Sequence, residues 1–122
     1  MNRGLALALL ILAFALTVVG ADAMLLSDAI AENEAPLAAC AENTPASPED
    51  VAAVRHALEE NRFLFSVSVP LAYISEYEEA LAEMEASVLT RDESSFASAR
   101  AAASQALSQI KRSALFSLGQ IF

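Results

Sequence analysis

Between Arg3 and Asp22 the chain carries an unbroken uncharged run, GLALALLILAFALTVVGA, from Gly4 to Ala21. As a helix it extends roughly 27 Å at about 1.5 Å per residue, the short end of what crosses a hydrocarbon core. Lipid offers no partners to exposed backbone groups, so a helix is the only open-chain solution there. Arg3 precedes the run, and Asp22 and Asp28 follow it. The positive-inside tendency therefore places residue 1 in the cytoplasm and everything beyond Asp22 outside. The same residues satisfy a secretory pattern, with a short basic start, an apolar stretch and the small-residue site Ala21-Asp22-Ala23. The apolar stretch is longer than a usual signal core, and Met24, Leu25 and Leu26 resume it. A retained anchor is thus favoured over a leader released after Ala23. Both readings export the rest of the chain.

Composition narrows what the exported part does. The 122 residues leave room for one small domain. Seven Lys plus Arg stand against sixteen Asp plus Glu, a net charge of −9, and phosphate neutralisation needs a basic face, so nucleic acid is not an expected partner. One Cys and one His exclude an internal disulfide and are too few for a Zn or Fe–S site. Leu37-Ala38-Ala39-Cys40 has the form of a lipoprotein processing box. Asp28, Glu32, Glu34 and Pro36 separate it from the apolar run, so an idle linker thiol is expected instead.

Ser27–Ala35 suits a helical continuation of the anchor, stopped by Pro36. Residues 36–47 are rich in Pro and Ala and read as a linker. Ser47-Pro48-Glu49-Asp50 is a helix start: Ser caps, Pro suits the first position, and acids meet the positive end of the macrodipole. Val51, Val54, Leu58 and Phe65 follow on one face. RFLFSVSVP (residues 62–70) alternates as a strand would, but no second strand is available to pair with; a helix kinked near Pro70 is expected. Ile74, Tyr77, Leu81, Met84 and Val88 then form a seam at spacings 3, 4, 3 and 4. Asp92 is a candidate cap. Phe96, Ala99, Ala103, Leu107, Ile110, Ala114 and Leu118 line one face of the last helix, which Gly119 is expected to end. The short connection makes these two helices antiparallel. No acid lies beyond Glu93, whereas Arg100, Lys111 and Arg112 do, so Glu85 is expected near Arg100, and Lys111 and Arg112 near Glu76.

The expected fold class is all-α: an N-terminal transmembrane (or signal) helix, then an antiparallel helical hairpin or slender three-helix bundle. Its parts are 1–26 membrane anchor or signal segment, 27–47 juxtamembrane helix and linker, and 48–122 helical hairpin domain. The last two helices cover one another, so segment 48–66 must find its own partner, with 24–35 the candidate. If that partner is too short, Val54, Leu58, Phe63 and Phe65 are left as an interaction surface.

Chemistry is sparse. His56 and Glu60, at i and i+4, read as a solvated ion pair rather than half a metal site. The acids Glu76, Glu78, Glu79, Glu83 and Glu85 lack the tight turn of a Ca²⁺ loop and read as a solvated face. The serines have no base oriented beside them, and Tyr73 and Tyr77 read as core or boundary residues. No catalytic residue, cofactor or metal is expected, and the chain reads as a non-enzyme.

ISEYEEALAEMEASVLTRDESSFASARAAASQALSQI and the ending SLGQIF, within Asn61–Phe122, resemble the acidic amphipathic helix, Asp-containing turn, closing helix and terminal apolar ending of a bacterial, mainly clostridial, family of small proteins, a domain of unknown function. Gln120 stands where an Asn is usual, Ser75 where a His is common, and the Ala- and Pro-rich linker is unusual. The resemblance implies one N-terminal span and a helical body, and it brings no activity, substrate or catalytic residue. The expected role is a membrane-anchored extracytoplasmic interaction module or accessory subunit, meeting lipid through its first helix and a protein partner or a second copy through its body. The alternative is a secreted helical protein, released after Ala23, that binds a small ligand or cation through its acidic face.

Overall fold

A computed structural model describes the backbone of residues 2–42 and 46–121, and the side chains within those ranges except at 19–23 and 116–121. Every element is a helix: α1 Asn2–Glu42, α2 Pro48–Glu60, α3 Arg62–Ser68, α4 Leu71–Thr90 and α5 Glu93–Ile121. The all-helical expectation holds, and no strand occurs among the described residues.

The largest departure lies at Pro36. It sits inside α1, which continues for more than a turn beyond it to Glu42. A proline there removes one helix hydrogen bond and crowds the preceding turn, at about 3 kcal/mol. Asn33, Leu37 and Cys40 explain why the helix persists: all three are buried on the face that meets the bundle, and packing overrides local propensity. Residues 36–42 are therefore part of a core helix and not of a linker.

The second half of α1 runs antiparallel to α2. Cys40 Sγ faces the Asp50 carbonyl at 3.5 Å, and Asn61 Nδ2 donates to Glu32 Oε2 at 3.0 Å. Helix α2 opens with the predicted Ser47 cap, and Asp50 completes it as a box: Ser47 Oγ accepts from Asp50 N at 3.3 Å, and Ser47 N donates back to Asp50 Oδ2 at 2.8 Å. Ion pairs Arg55–Glu85 and Arg62–Glu78 set α4 antiparallel to α2 and α3. Lys111 Nζ lies 3.3 Å from Glu34 Oε1 and sets α5 along α1. The body is thus four arms, up, down, up and down, with the second half of α1 as one of them. Two expected pairings are replaced. Glu85 meets Arg55 and not Arg100, and Lys111 meets Glu34 and not Glu76, because α2 and α1 flank the last two helices and offer nearer partners.

The expected kink near Pro70 is a full break. Val69 is extended (φ −129°, ψ 141°), as the residue before proline prefers, and α4 starts afresh at Leu71. At the other end of α4, Arg91 takes the left-handed conformation (φ 58°, ψ 33°) and its N–H reaches Ser87 O. Asp92 then caps α5, accepting from Ser95 N at 3.1 Å and from the Ser95 hydroxyl at 2.8 Å. Helix α5 runs past Gly119 to Ile121. The expected apolar tail is thus helical as far as Ile121; the side chains of Leu118, Gln120 and Ile121, and Phe122 altogether, lie outside the described residues.

The seam packs as its spacing implies. Ile74, Tyr77, Leu81 and Met84 are buried, as are Ala99, Ala103, Leu107, Ile110 and Ala114 opposite them. Alanines on α5 let its backbone approach the bulkier side chains of α4. Leu26, Ile30 and Leu37 of α1 and Val51, Val54, Leu58 and Phe65 complete one core. Each fully buried Leu or Phe contributes about 2–3 kcal/mol.

Candidate functional site

Three of the four residues expected to form an interaction surface are interior. Val54, Leu58 and Phe65 are fully buried, whereas Phe63 is 80% exposed. The antiparallel register accounts for it: Asn33 reaches Ala57 and Glu32 reaches Asn61, so the stretch before Pro36 covers Leu58 and Phe65, while the continuation past Pro36 brings Cys40 to Asp50 and covers the start of α2. The proposed protein-binding patch on those residues is withdrawn, and Phe63 alone stays on the surface.

The core also encloses polar groups. Asn33 is wholly buried; its Nδ2 donates to Ala29 O at 2.8 Å, while its Oδ1 has no partner. The Tyr77 hydroxyl is likewise buried and unpartnered. Burial pushes the Tyr77 phenol above its ordinary pKa, and the neighbouring Cys40 adds to the shift. Cys40, expected in a linker, is 2% exposed. Burial raises its thiol, Asp50 raises it further, and Arg100 opposes both. The sulfur is therefore held as the thiol, which is not the nucleophilic form.

The acidic face is spread out. Glu78 and Glu85 are taken up by Arg62 and Arg55, while Glu76, Glu79 and Glu83 border a shallow groove against Ala102 and Ala106. His56 Nε2 meets Glu60 Oε1 at 2.9 Å on an exposed face, the contact that the i, i+4 spacing predicts. No cluster of three metal-ligating side chains occurs among the described residues. A cleft of about 720 Å³ opens where α1 ends, bordered by Cys40, Ala46, Ser87, Val88, Phe96 and Arg100. Sequence reading missed it, because Arg100 was expected to pair with Glu85 and no periodicity marks the meeting of three helix ends.

The most distinctive surface is the first half of α1. Leu5, Leu7, Leu9, Leu10, Ile11, Leu12, Phe14, Leu16 and Val18 are all about half or more exposed. Consecutive positions 9–12 point in every direction around the helix, so the shaft is apolar all round, and none of the described residues covers it. A helix of that kind belongs in a larger apolar phase. Among the described residues no helix is long and apolar enough to cross a membrane. The described part of the run, Gly4 to Val18, extends roughly 22 Å against a core of about 30 Å, and the side chains at 19–21 that complete the run lie outside the described residues. Compared with protein-family models, with curated proteins and with solved structures, the chain matches none.

Proposed function

We propose that this chain is a single-span, membrane-anchored helical protein whose four-helix body serves as an interaction module or accessory subunit on the extracytoplasmic side. The observation that carries the reading is the bare apolar shaft from Leu5 to Val18, continuous in one helix with the arm that holds the core. About 25 cal/mol for each Å² of apolar surface removed from water gives that shaft a strong drive into lipid. Arg3 before the run and Asp22 and Asp28 after it favour a cytoplasmic first residue. The layout also fits the small single-span family that Asn61–Phe122 resembles.

Release after Ala23 is the second reading, and one observation favours it: among the described residues the first in the core is Leu26, so cleavage there would leave those core residues in place. Membrane fractionation with protease protection, followed by amino-terminal sequencing, separates the two. A retained Met1 in the membrane fraction, with the body accessible from outside, is the expected result. A first residue of Met24 in the soluble fraction supports release, and the intact chain in the soluble fraction overturns the anchor.

A further inference from the structure

The end of the bundle from which the shaft emerges carries a second apolar surface. Asn61 is tied to Glu32 of α1, so α3 descends beside α1 and ends level with about Leu25. Exposed on this descent are Phe63 (80%) and Val67 (64%), and past the break Leu71 (74%). From the far side α5 brings Leu115 (61% exposed), which shares a small cleft with Leu26 and Ile30. Met24 and Leu25 of α1, also exposed, stand between them.

Charge follows the same geography. The sequence holds no charged residue between Arg62 and Glu76, and none beyond Arg112. The first segment turns at Val69 and Pro70, near the level where the shaft leaves the body, and the second begins a turn above Leu115; Asp28 of α1 is the exposed charge nearest that level among the described side chains. The opposite end presents exposed Arg91, Asp92 and Glu93. A partner helix needs a groove along one element. These side chains instead surround the base of one helix from three elements, which suits a flat apolar boundary crossed by that helix. Arg62 is held by Glu59 and Glu78, and Lys111 by Glu34, which leaves the exposed Arg112 as a single cation near Leu115, too little charge to call for anionic lipid.

We propose that this end is an interfacial foot. Val67, Leu71, Leu115, Met24 and Leu25, with Phe63 uppermost, seat in the headgroup–acyl boundary of a lipid surface and hold the bundle upright. The inference rests on the membrane reading of α1 given above.

The chain contains no Trp, so a single introduced one reports its own surroundings. Full-length Val67→Trp and Leu71→Trp variants, and Leu89→Trp at the opposite end, are reconstituted into phosphatidylcholine vesicles with and without brominated acyl chains. All three positions are exposed, so the larger ring is accommodated without repacking. Emission from positions 67 and 71 is expected to shift to the blue and to be quenched by bromine about twofold more than emission from position 89. Equal, water-like emission at all three sites in protein that floats with the vesicles overturns the foot and leaves the anchor standing. Equal strong quenching at all three also overturns it. Failure of the full chain to float with the vesicles overturns foot and anchor together.

Discussion

Leu58 and Phe63 lie five residues apart and have opposite fates. Leu58 is fully buried among α1, α2 and α4, whereas Phe63 is 80% exposed. Leu58→Ala should destabilise the body by about 2–5 kcal/mol, through lost transfer energy and the cavity left behind. Phe63→Ala should change stability by no more than about 0.5 kcal/mol. Denaturant titration followed by circular dichroism checks both; equal losses would mean that α2 is not covered by α1. Asn33 poses the reverse question. Its buried Oδ1 has no partner, and its Nδ2 donates to the Ala29 carbonyl at 2.8 Å and, at a long 3.5 Å, to the Ala57 carbonyl of α2. Replacing a half-satisfied buried amide by an apolar group of similar size removes its desolvation penalty. Asn33→Leu is therefore expected to be neutral or to raise the melting temperature. A loss of more than about 1 kcal/mol would show that the amide is satisfied in solution.

At the scale of elements, Pro36 is the informative position, because a helix that continues through proline is sustained by its contacts. Pro36→Ala restores a backbone donor and relieves the crowded turn, and should stabilise the body by about 1–3 kcal/mol. A destabilised variant would indicate that α1 ends at Pro36 after all. The same competition explains how the elements read from sequence. The start of α2 and the cap of α5 were legible because Ser47, Pro48, Asp50 and Asp92 act within one turn. The α4 seam was legible because Ile74, Tyr77, Leu81 and Met84 repeat at helical spacing. Local rules failed at Pro36, where burial of Leu37 and Cys40 outweighs the penalty. They also understated Pro70, where Val69 is forced into an extended conformation and the chain breaks outright.

For the whole molecule, the body and the shaft make separable contributions. Side chains from Leu5 to Val18 are exposed, and among the described residues the core begins at Leu26. A chain starting at Met24 should therefore unfold cooperatively with a midpoint close to that of the full chain, while losing flotation with phosphatidylcholine vesicles. A chain starting at Asn43 should lose cooperative unfolding altogether, because Val51, Val54, Leu58 and Phe65 would be stripped of their cover. If the Met24 form were also unfolded, the shaft would have to pack on the body, contrary to its exposure.

Short-range physics made the helices, their caps, the bare apolar run and the acidic balance readable from the order of residues, since each depends on neighbours within a few positions. Which helices lie side by side was settled only in three dimensions. Arg55 reaching Glu85, Lys111 reaching Glu34, and Cys40 and Asn33 closed inside the core all require segments far apart in the chain to meet. Whether Val54, Leu58 and Phe65 face a partner or an interior turns on long-range facts, the docking of α1 along α2 and its length beyond a proline. Folding selects that length by the total area buried, a quantity that no local pattern contains.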